Sequence, residues 1–189
     1  MTELVKELQS QEEKQKVHPF VEMVFRRKSE DTAFRARMRA ARSTARAPAV
    51  WGDLAAFCSL HNGDDRRILI LIGSAIAWDR AEENGTLPIG EAIAKAWDLS
   101  EASLRSDEWQ KSPAAARMRR LLACRTTAEV CMVLQPLLSL IRSREVRGLD
   151  YSRLLYNLHE FIRAPEKVKA IWAQDFFAMS DSKKEGSPS

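Results

Sequence analysis

The sequence has little cysteine, glycine and proline, and these shortages exclude several classes of fold. Three cysteines in 189 residues are too few, and odd in number, for a disulfide scaffold. Seven glycines and seven prolines are too few for a turn-rich β-sandwich or a collagen-like chain. The longest apolar run, Ile68–Trp78, is far shorter than the roughly 20 residues that cross a bilayer. The N-terminus is acidic and polar, unlike a signal peptide, so the sequence predicts a soluble cytoplasmic protein.

Motifs of catalysis are also missing. The sequence holds no GxGxxG, GxxxxGK[ST], HExxH or GxSxG pattern, and its three histidines lie far apart along the chain. Cys58 and His61 have the spacing of zinc ligands, and Cys124 and Cys131 offer a second pair. The members of that second pair are seven residues apart on apolar helical faces, which favours core cysteines over a zinc site. We therefore expect no enzymatic activity, no metal and no cofactor.

Apolar residues recur at helical spacing along nearly the whole chain, whereas strict alternation is rare. This pattern predicts an all-α fold. Asp31 or Thr32 is expected to cap a helix that runs to about Ala47 and stops before Pro48.

The same signals mark later helices. Asp64 is expected to cap a helix that runs to about Glu83, and its long apolar run indicates burial on most sides. Thr126 or Thr127 is expected to cap another helix, and Asp150 the one after it.

We expect two small helical bundles packed side by side, with a basic surface. The N-terminal bundle spans residues 19–105 and the C-terminal bundle residues 114–179, and a polar linker at 106–113 joins them. Residues 1–18 form an arm, either a short helix or a disordered segment. Residues 180–189 form a polar tail that we expect to be disordered.

Charge is distributed unevenly along the chain, although the net charge is only +4. Residues 26–50 carry eight bases and two acids, and residues 111–153 carry nine bases and three acids. Residues 51–110, between these blocks, carry five bases and eleven acids. Two basic blocks of this kind indicate a polyanionic partner. The alternative is that the blocks pair with the acidic middle of the chain within the fold.

Four arginines of the first block share one side of the predicted helix, and an apolar stripe lies beside them. The four are Arg35, Arg39, Arg42 and Arg46. Like charges at this spacing destabilise an isolated helix. Phosphate groups would offset that cost, because guanidinium groups bind phosphate through two parallel hydrogen bonds.

The second basic block opens the predicted C-terminal bundle. Its arginines are Arg117, Arg119, Arg120 and Arg125, extended by Arg142, Arg144, Arg147 and Arg153. Phe34 lies beside the arginines of the first block, and we assign it to the core. The pattern therefore predicts contact with nucleic-acid backbone, without base stacking.

The five tryptophans divide into two groups. Four lie in apolar helical patterns and are expected in the core: Trp51, Trp78, Trp97 and Trp172. Trp109 lies in a polar stretch and is expected to be an interface residue or a loop anchor.

Five stretches together resemble a known family. They are Phe34–Arg42, Leu87–Ala94, Arg117–Arg125, Leu149–Leu158 and Ile171–Phe177. In their order and spacing they resemble the CasB family, the small subunit of the type I-E CRISPR surveillance complex, Cascade. The resemblance covers about residues 20–178.

The resemblance implies an all-helical, non-catalytic subunit, of which two copies lie head to tail in the complex. It implies that the subunit stabilises the complex and its R-loop by holding DNA strands on a basic surface. The implied partners are the crRNA-binding backbone subunits, the guide RNA, the target or displaced DNA strand and a second copy of the chain, with no membrane. Arg37, Arg39 and Arg42 match the family's N-terminal basic helix. The basic residues that match the opening of its C-terminal bundle are Arg117, Arg119, Arg120 and Arg125.

The candidate nucleic-acid-binding residues are therefore all arginines. They are Arg35, Arg37, Arg39, Arg42, Arg46, Arg117, Arg119, Arg120, Arg125, Arg142 and Arg144. The alternative function is that of a helical protein-interaction adaptor, whose basic surface meets an acidic partner.

Overall fold

The computed structural model describes residues 17–99 and 107–177, and its regular elements are helical. The α-helices in these residues are α1 (Pro19–Glu30), α2 (Thr32–Ala40), α3 (Trp51–Leu54), α4 (Gly63–Trp78), α5 (Ile89–Ala96), α6 (Pro113–Leu122), α7 (Thr127–Ser143), α8 (Tyr151–Phe161) and α9 (Pro165–Phe177). Two 3₁₀ turns lie at Ala47–Val50 and Asp107–Lys111. The predicted all-α fold is confirmed. Most of the predicted arm and all of the predicted tail lie outside the described residues, and no described helix is long and apolar enough to span a membrane.

Several helix starts follow from local capping. The carboxylate of Asp31 accepts a hydrogen bond from the third N–H of α2 at 2.8 Å, and Asp150 does the same for α8 at 2.9 Å. Thr126 begins α7 with a reciprocal capping box that includes Glu129. These three predicted caps are confirmed. The cap of α4 is Asn62 and not Asp64, because the Asn62 side chain accepts hydrogen bonds from the N–H groups of Asp64 and Asp65 in the first turn.

Helix α2 is shorter than predicted, because it ends at Ala40 and not near Ala47. The chain then turns through hydrogen bonds from Ser43 N–H to the Ala40 carbonyl and from Arg46 N–H to the Ser43 carbonyl. Arg42 and Arg46 consequently lie outside the helix, and the predicted stripe of four arginines on one helix is wrong.

Helix α4 is the central helix of the fold. From Ile68 to Ala77 all its residues except Ile70 are buried, and α1, α2, α7 and α8 pack around it. The predicted burial on most sides is confirmed. The helix ends at Trp78, short of the predicted Glu83, where Asp79 takes an extended backbone.

The end of α4 is held by a buried lysine. The ammonium group of Lys28 donates to the carbonyls of Ile76 and Asp79, each at 3.3 Å, and also to the carbonyl of Ala81. Burial lowers the pKa of Lys28. A cation at the C-terminus of a helix satisfies carbonyls that have no partner within it.

Helix α5 packs closely against α9. A side chain at Gly90 would overlap the backbone carbonyl of Trp172, so only glycine permits this approach. The Trp172 ring is fully buried and stacks on Phe161 with ring centres 5.9 Å apart. A single hydrophobic cluster includes buried residues from both sides of the predicted linker. The division into two bundles stays a prediction.

Two loops are joined by a short backbone bridge, which places the ends of α4 and α7 near each other. Leu87 N–H donates to the Gly148 carbonyl at 2.8 Å, and Asp150 N–H donates to the Leu87 carbonyl at 2.8 Å. The Asn84 side chain donates to the Asp150 carboxylate at 3.0 Å and accepts from Tyr151 N–H at 2.8 Å. The basic segment around Arg142 therefore lies beside the loop that follows α4.

Candidate nucleic-acid interface

Arginines from both basic blocks line one cleft of about 930 Å³, which we call the Trp78 cleft. Helix α2 supplies Arg35 and Arg39, α4 ends in the cleft at Trp78, and α7 with its following loop supplies Arg142 and Arg147. These residues are widely separated in sequence, so the cleft is a product of the tertiary fold. The structure thus brings together three of the candidate nucleic-acid-binding residues, namely Arg35, Arg39 and Arg142.

Arg39 is fixed in the cleft by two contacts. Its Nε donates to the Ala77 carbonyl at 2.7 Å, and its guanidinium group lies 4.4 Å from the centre of the Trp78 ring. The guanidinium group of Arg142 lies 5.4 Å from the same ring centre. Cation–π contacts of this kind contribute about 0.5–2 kcal/mol, depending on desolvation.

The cleft concentrates positive charge. Burial, and then the nearby charges of Arg35 and Arg142, lower the pKa of Arg39, which remains a cation at neutral pH. Among the described residues, none of these three arginines has a carboxylate within ion-pair distance. A bound anion would relieve the repulsion between them, because an opposite charge nearby favours the charged form of each group.

Acidic side chains are present at the cleft but in smaller number. Six basic and three acidic residues line it. The carboxylate of Asp79 is already engaged, since it accepts a hydrogen bond from the buried Tyr151 hydroxyl and another from Ala81 N–H at 3.0 Å. The other two, Glu82 and Glu145, are exposed. The balance in the cleft is basic.

A second arrangement of tryptophan and arginine repeats the first. Arg144 donates to the Ala96 carbonyl at 3.1 Å, and its guanidinium group lies 4.8 Å from the centre of the Trp97 ring. Arg117 lies 4.4 Å from the same ring centre and donates to the Pro113 carbonyl at 3.1 Å. In both places an Ala-Trp-Asp sequence ends a helix, and an arginine from elsewhere binds the alanine carbonyl and covers the tryptophan.

Three other candidate arginines of the first block have different surroundings. Arg42 donates to the Ser139 hydroxyl and the Gln135 carbonyl, both at 3.1 Å, and so ties the end of α2 to α7. Burial, and then Arg142, lower the pKa of Arg42. Arg37 lies 3.8 Å from the carboxylate of Asp53. Arg46 is exposed.

The remaining candidates of the second block lie on or just after α6. Arg119, Arg120 and Arg125 are all exposed, and Arg119 donates to the Gln110 carbonyl at 2.9 Å. The guanidinium group of Arg153, which extends the block, is paired with both carboxylate oxygens of Asp175 at 2.7 and 2.9 Å. Arg153 is therefore committed to holding α8 against α9.

Two of the four tryptophans that the sequence predicts in the core are exposed. Trp172 is in the core as predicted, but Trp51 is 37% exposed and Trp78 is 41% exposed. Trp109 packs against Phe177 with ring centres 4.9 Å apart, as a loop anchor would. The basic blocks contain few aromatic residues in sequence, but the fold places Trp78 among their arginines. The repeated Ala-Trp-Asp sequence is the sequence feature that marks both tryptophan–arginine arrangements.

The cysteines and histidines do not gather at one site. Cys124 and Cys131 are buried, Cys58 is half-buried, and burial raises the pKa of Cys131 to about 12. No group of three or more potential metal ligands occurs within the described ranges. Burial, and then nearby His159, lower the pKa of His18, so these two histidines lie closer in space than their positions suggest.

The fold and the site define an all-α protein in which arginines from distant segments converge on exposed aromatic surface. The family model of the CRISPR-associated protein Cse2 matches residues 8–177. The chain belongs to this family, the CasB small subunit of the type I-E CRISPR complex Cascade. No curated protein and no solved structure matches the chain significantly.

Proposed function

We propose that this chain is a non-catalytic subunit that holds nucleic-acid backbone within Cascade, through contacts from arginine that do not depend on sequence. In this role it stabilises the assembled complex and the R-loop. The observation that carries the proposal is the convergence of Arg35, Arg39 and Arg142 on the Trp78 cleft without carboxylate partners among the described residues.

The chemistry of the cleft suits phosphate. A guanidinium group presents parallel N–H donors that match two phosphate oxygens, and it stays charged at any physiological pH. Backbone contacts fix the path of a strand but carry no sequence information. A surveillance complex that reads its target by base pairing with a guide needs such contacts, because every target must be held equally well.

The proposed partners follow from membership of the complex. They are the crRNA-binding backbone subunits, the guide RNA, the target or displaced DNA strand and a second copy of this chain, in the cytoplasm. Exposed apolar side chains are suited to contacts with protein subunits. Met132 is 70% exposed, Tyr156 50% and Ile162 44%.

Co-purification tests whether the chain assembles as proposed. The tagged chain is co-expressed with the other Cascade subunits and a guide RNA from its own locus, then washed in moderate salt. We expect it to elute in a large RNA-containing particle that holds about two copies of the chain. Elution of the chain alone would contradict the proposal and would favour a helical adaptor with an acidic protein partner.

The lifetime of the R-loop tests the function of the cleft. The double variant R35Q/R147Q removes two cleft arginines without a described ion-pair partner, and we expect it to shorten the lifetime on every target sequence. R67Q is the control, because Arg67 is paired with Asp64 at 2.7 Å near the other end of α4 from Trp78. Equal lifetimes for wild type and R35Q/R147Q would contradict the proposal.

A further inference from the structure

Trp78 has a feature that backbone contact leaves unexplained. Trp78 is 41% exposed at the surface of a basic cleft, although tryptophan residues are highly buried on average. Trp97, in the matching arrangement at the end of α5, is only partly exposed and packs against the core. The two tryptophans therefore differ in accessibility, and only Trp78 opens into the cleft.

The ring is held in a defined position. Trp78 is the last residue of the buried helix α4, whose end is fixed by Lys28. Arg39 lies over the ring and is itself anchored to the Ala77 carbonyl. Arg142 lies farther from the ring centre, at 5.4 Å, and no side-chain hydrogen bond to another described residue holds it. One guanidinium group is thus fixed, and the other is free to turn toward a ligand.

An exposed aromatic ring beside free guanidinium groups matches the two parts of a nucleotide. The base presents an apolar π-face that stacks on an indole, and the phosphates pair with arginine. The cleft volume of about 930 Å³ lies within the range of roughly 300–1,000 Å³ that small-ligand sites occupy. We propose that the Trp78 cleft takes one unpaired nucleotide of a single strand, with its base stacked on Trp78 and its phosphates held by the surrounding arginines.

The ligand class follows from what each partner presents. A duplex keeps its bases stacked inside and shows only phosphates and groove edges, so it leaves the indole ring unused. An acidic peptide would pair with the arginines but has no aromatic face to match the ring. A single strand of RNA or DNA has both parts, and stacking tolerates any base. The inference rests on the proposed function and adds a stacking contact to it.

Binding of strands with and without bases tests this contact. The full-length chain, alone and in the assembled complex, is titrated with a labelled oligothymidylate, with an abasic strand of equal length, and with the corresponding RNA. We expect the base-bearing strand to bind roughly 5- to 100-fold more tightly than the abasic strand, as one stacked base accounts for. The DNA and RNA titrations distinguish a DNA strand from the guide RNA as the source of the nucleotide.

Variants separate stacking from charge. We expect W78A to bind the base-bearing strand as weakly as the abasic strand, and W78F to retain part of the difference. W51A is the matched control, since Trp51 is 37% exposed and has Arg66 at 5.2 Å from its ring centre but lies outside the cleft. Urea unfolding of each variant verifies that the fold is intact.

The outcomes distinguish the inference from the function on which it rests. Equal, salt-sensitive binding of both strands by the wild type would overturn the stacking contact and leave the proposed function standing. Loss of assembly in W78A, with strand binding unchanged, would overturn it in favour of a protein contact. Absence of binding to either strand, free and in the complex, would overturn both proposals.

Discussion

Arg39 covers the ring of Trp78 from 4.4 Å while it binds the carbonyl of the residue before that tryptophan. One side chain thus satisfies a backbone group at the end of α4 and fixes the orientation of the aromatic ring. Arg144 does the same for Trp97. In each case an arginine with a structural contact also places positive charge on the surface, so structure and proposed function share the same residue.

This double role separates Arg39 from its neighbour Arg35. We expect R39Q to lower the free energy of unfolding by about 1–3 kcal/mol, because it removes a charge-assisted hydrogen bond and a cation–π contact. R35Q removes the same charge without either contact, and we expect a change within about 0.5 kcal/mol. Urea unfolding measures both values. Equal decreases in the two variants would show that the contacts of Arg39 contribute little.

A substitution at Gly85 tests whether the loop after α4 is hydrogen-bonded to the loop after α7. A side chain at this position would overlap the backbone of Gly148, and the bridge there includes a hydrogen bond from Gly85 N–H to the Leu149 carbonyl at 3.2 Å. We expect G85A to lower the free energy of unfolding by about 1–3 kcal/mol or more.

The control for this variant is G52A. Nothing lies within 4 Å of a side chain built at Gly52, which is exposed within the short helix α3. Since alanine favours helix over glycine, we expect G52A to be neutral or to stabilise by up to about 1 kcal/mol. If G85A is as stable as G52A, the loops are not joined as described.

How much of this structure the sequence predicts depends on how local each feature is. The caps at Asp31, Thr126 and Asp150 involve residues three or four apart, and sequence patterns contain that information. The helical period likewise predicts the burial of α4. The end of α2 at Ala40 was not predicted, because the apolar spacing continues after Ala40 and Pro48 marks a stop only near Ala47, whereas the chain already turns at Ser43.

The candidate site was less predictable. Charge blocks and spacing identify arginines. They do not reveal that Arg39 and Arg142 meet at one tryptophan, or that the guanidinium group of Arg42 is hydrogen-bonded to α7. Such contacts depend on how helices pack, and no local pattern specifies them. The repeated Ala-Trp-Asp at 77–79 and 96–98 is a sequence signal for a shared arrangement, although it does not name the arginine partners.

Two histidines make stability depend on pH. Burial lowers the pKa of both His18 and His159 below the usual value of 6.5, so their neutral forms are favoured in the folded chain. Their contribution is complete above about pH 6.5 and is lost as the pH falls through their folded pKa values. We therefore expect the free energy of unfolding to decrease as the pH falls below about 6.5.

Removing one of the pair checks this assignment. We expect H159Q to reduce the pH dependence in that interval, because it removes one titrating group and the positive charge that lowers the pKa of His18. Unfolding by urea at a series of pH values measures the slope. A slope in H159Q equal to that of the wild type would assign the pH dependence to other groups.

The salt dependence of strand binding by the assembled complex tests the central claim most directly. If the Trp78 cleft neutralises phosphates, complexes with R35Q/R147Q will show a shallower fall of log affinity with log salt. For a single strand, the slope decreases by about 0.7 for each phosphate that the variant no longer neutralises. Complexes with R67Q will keep the wild-type slope. A slope in R35Q/R147Q identical to that of wild type would contradict the account, since the cleft would then hold no phosphate.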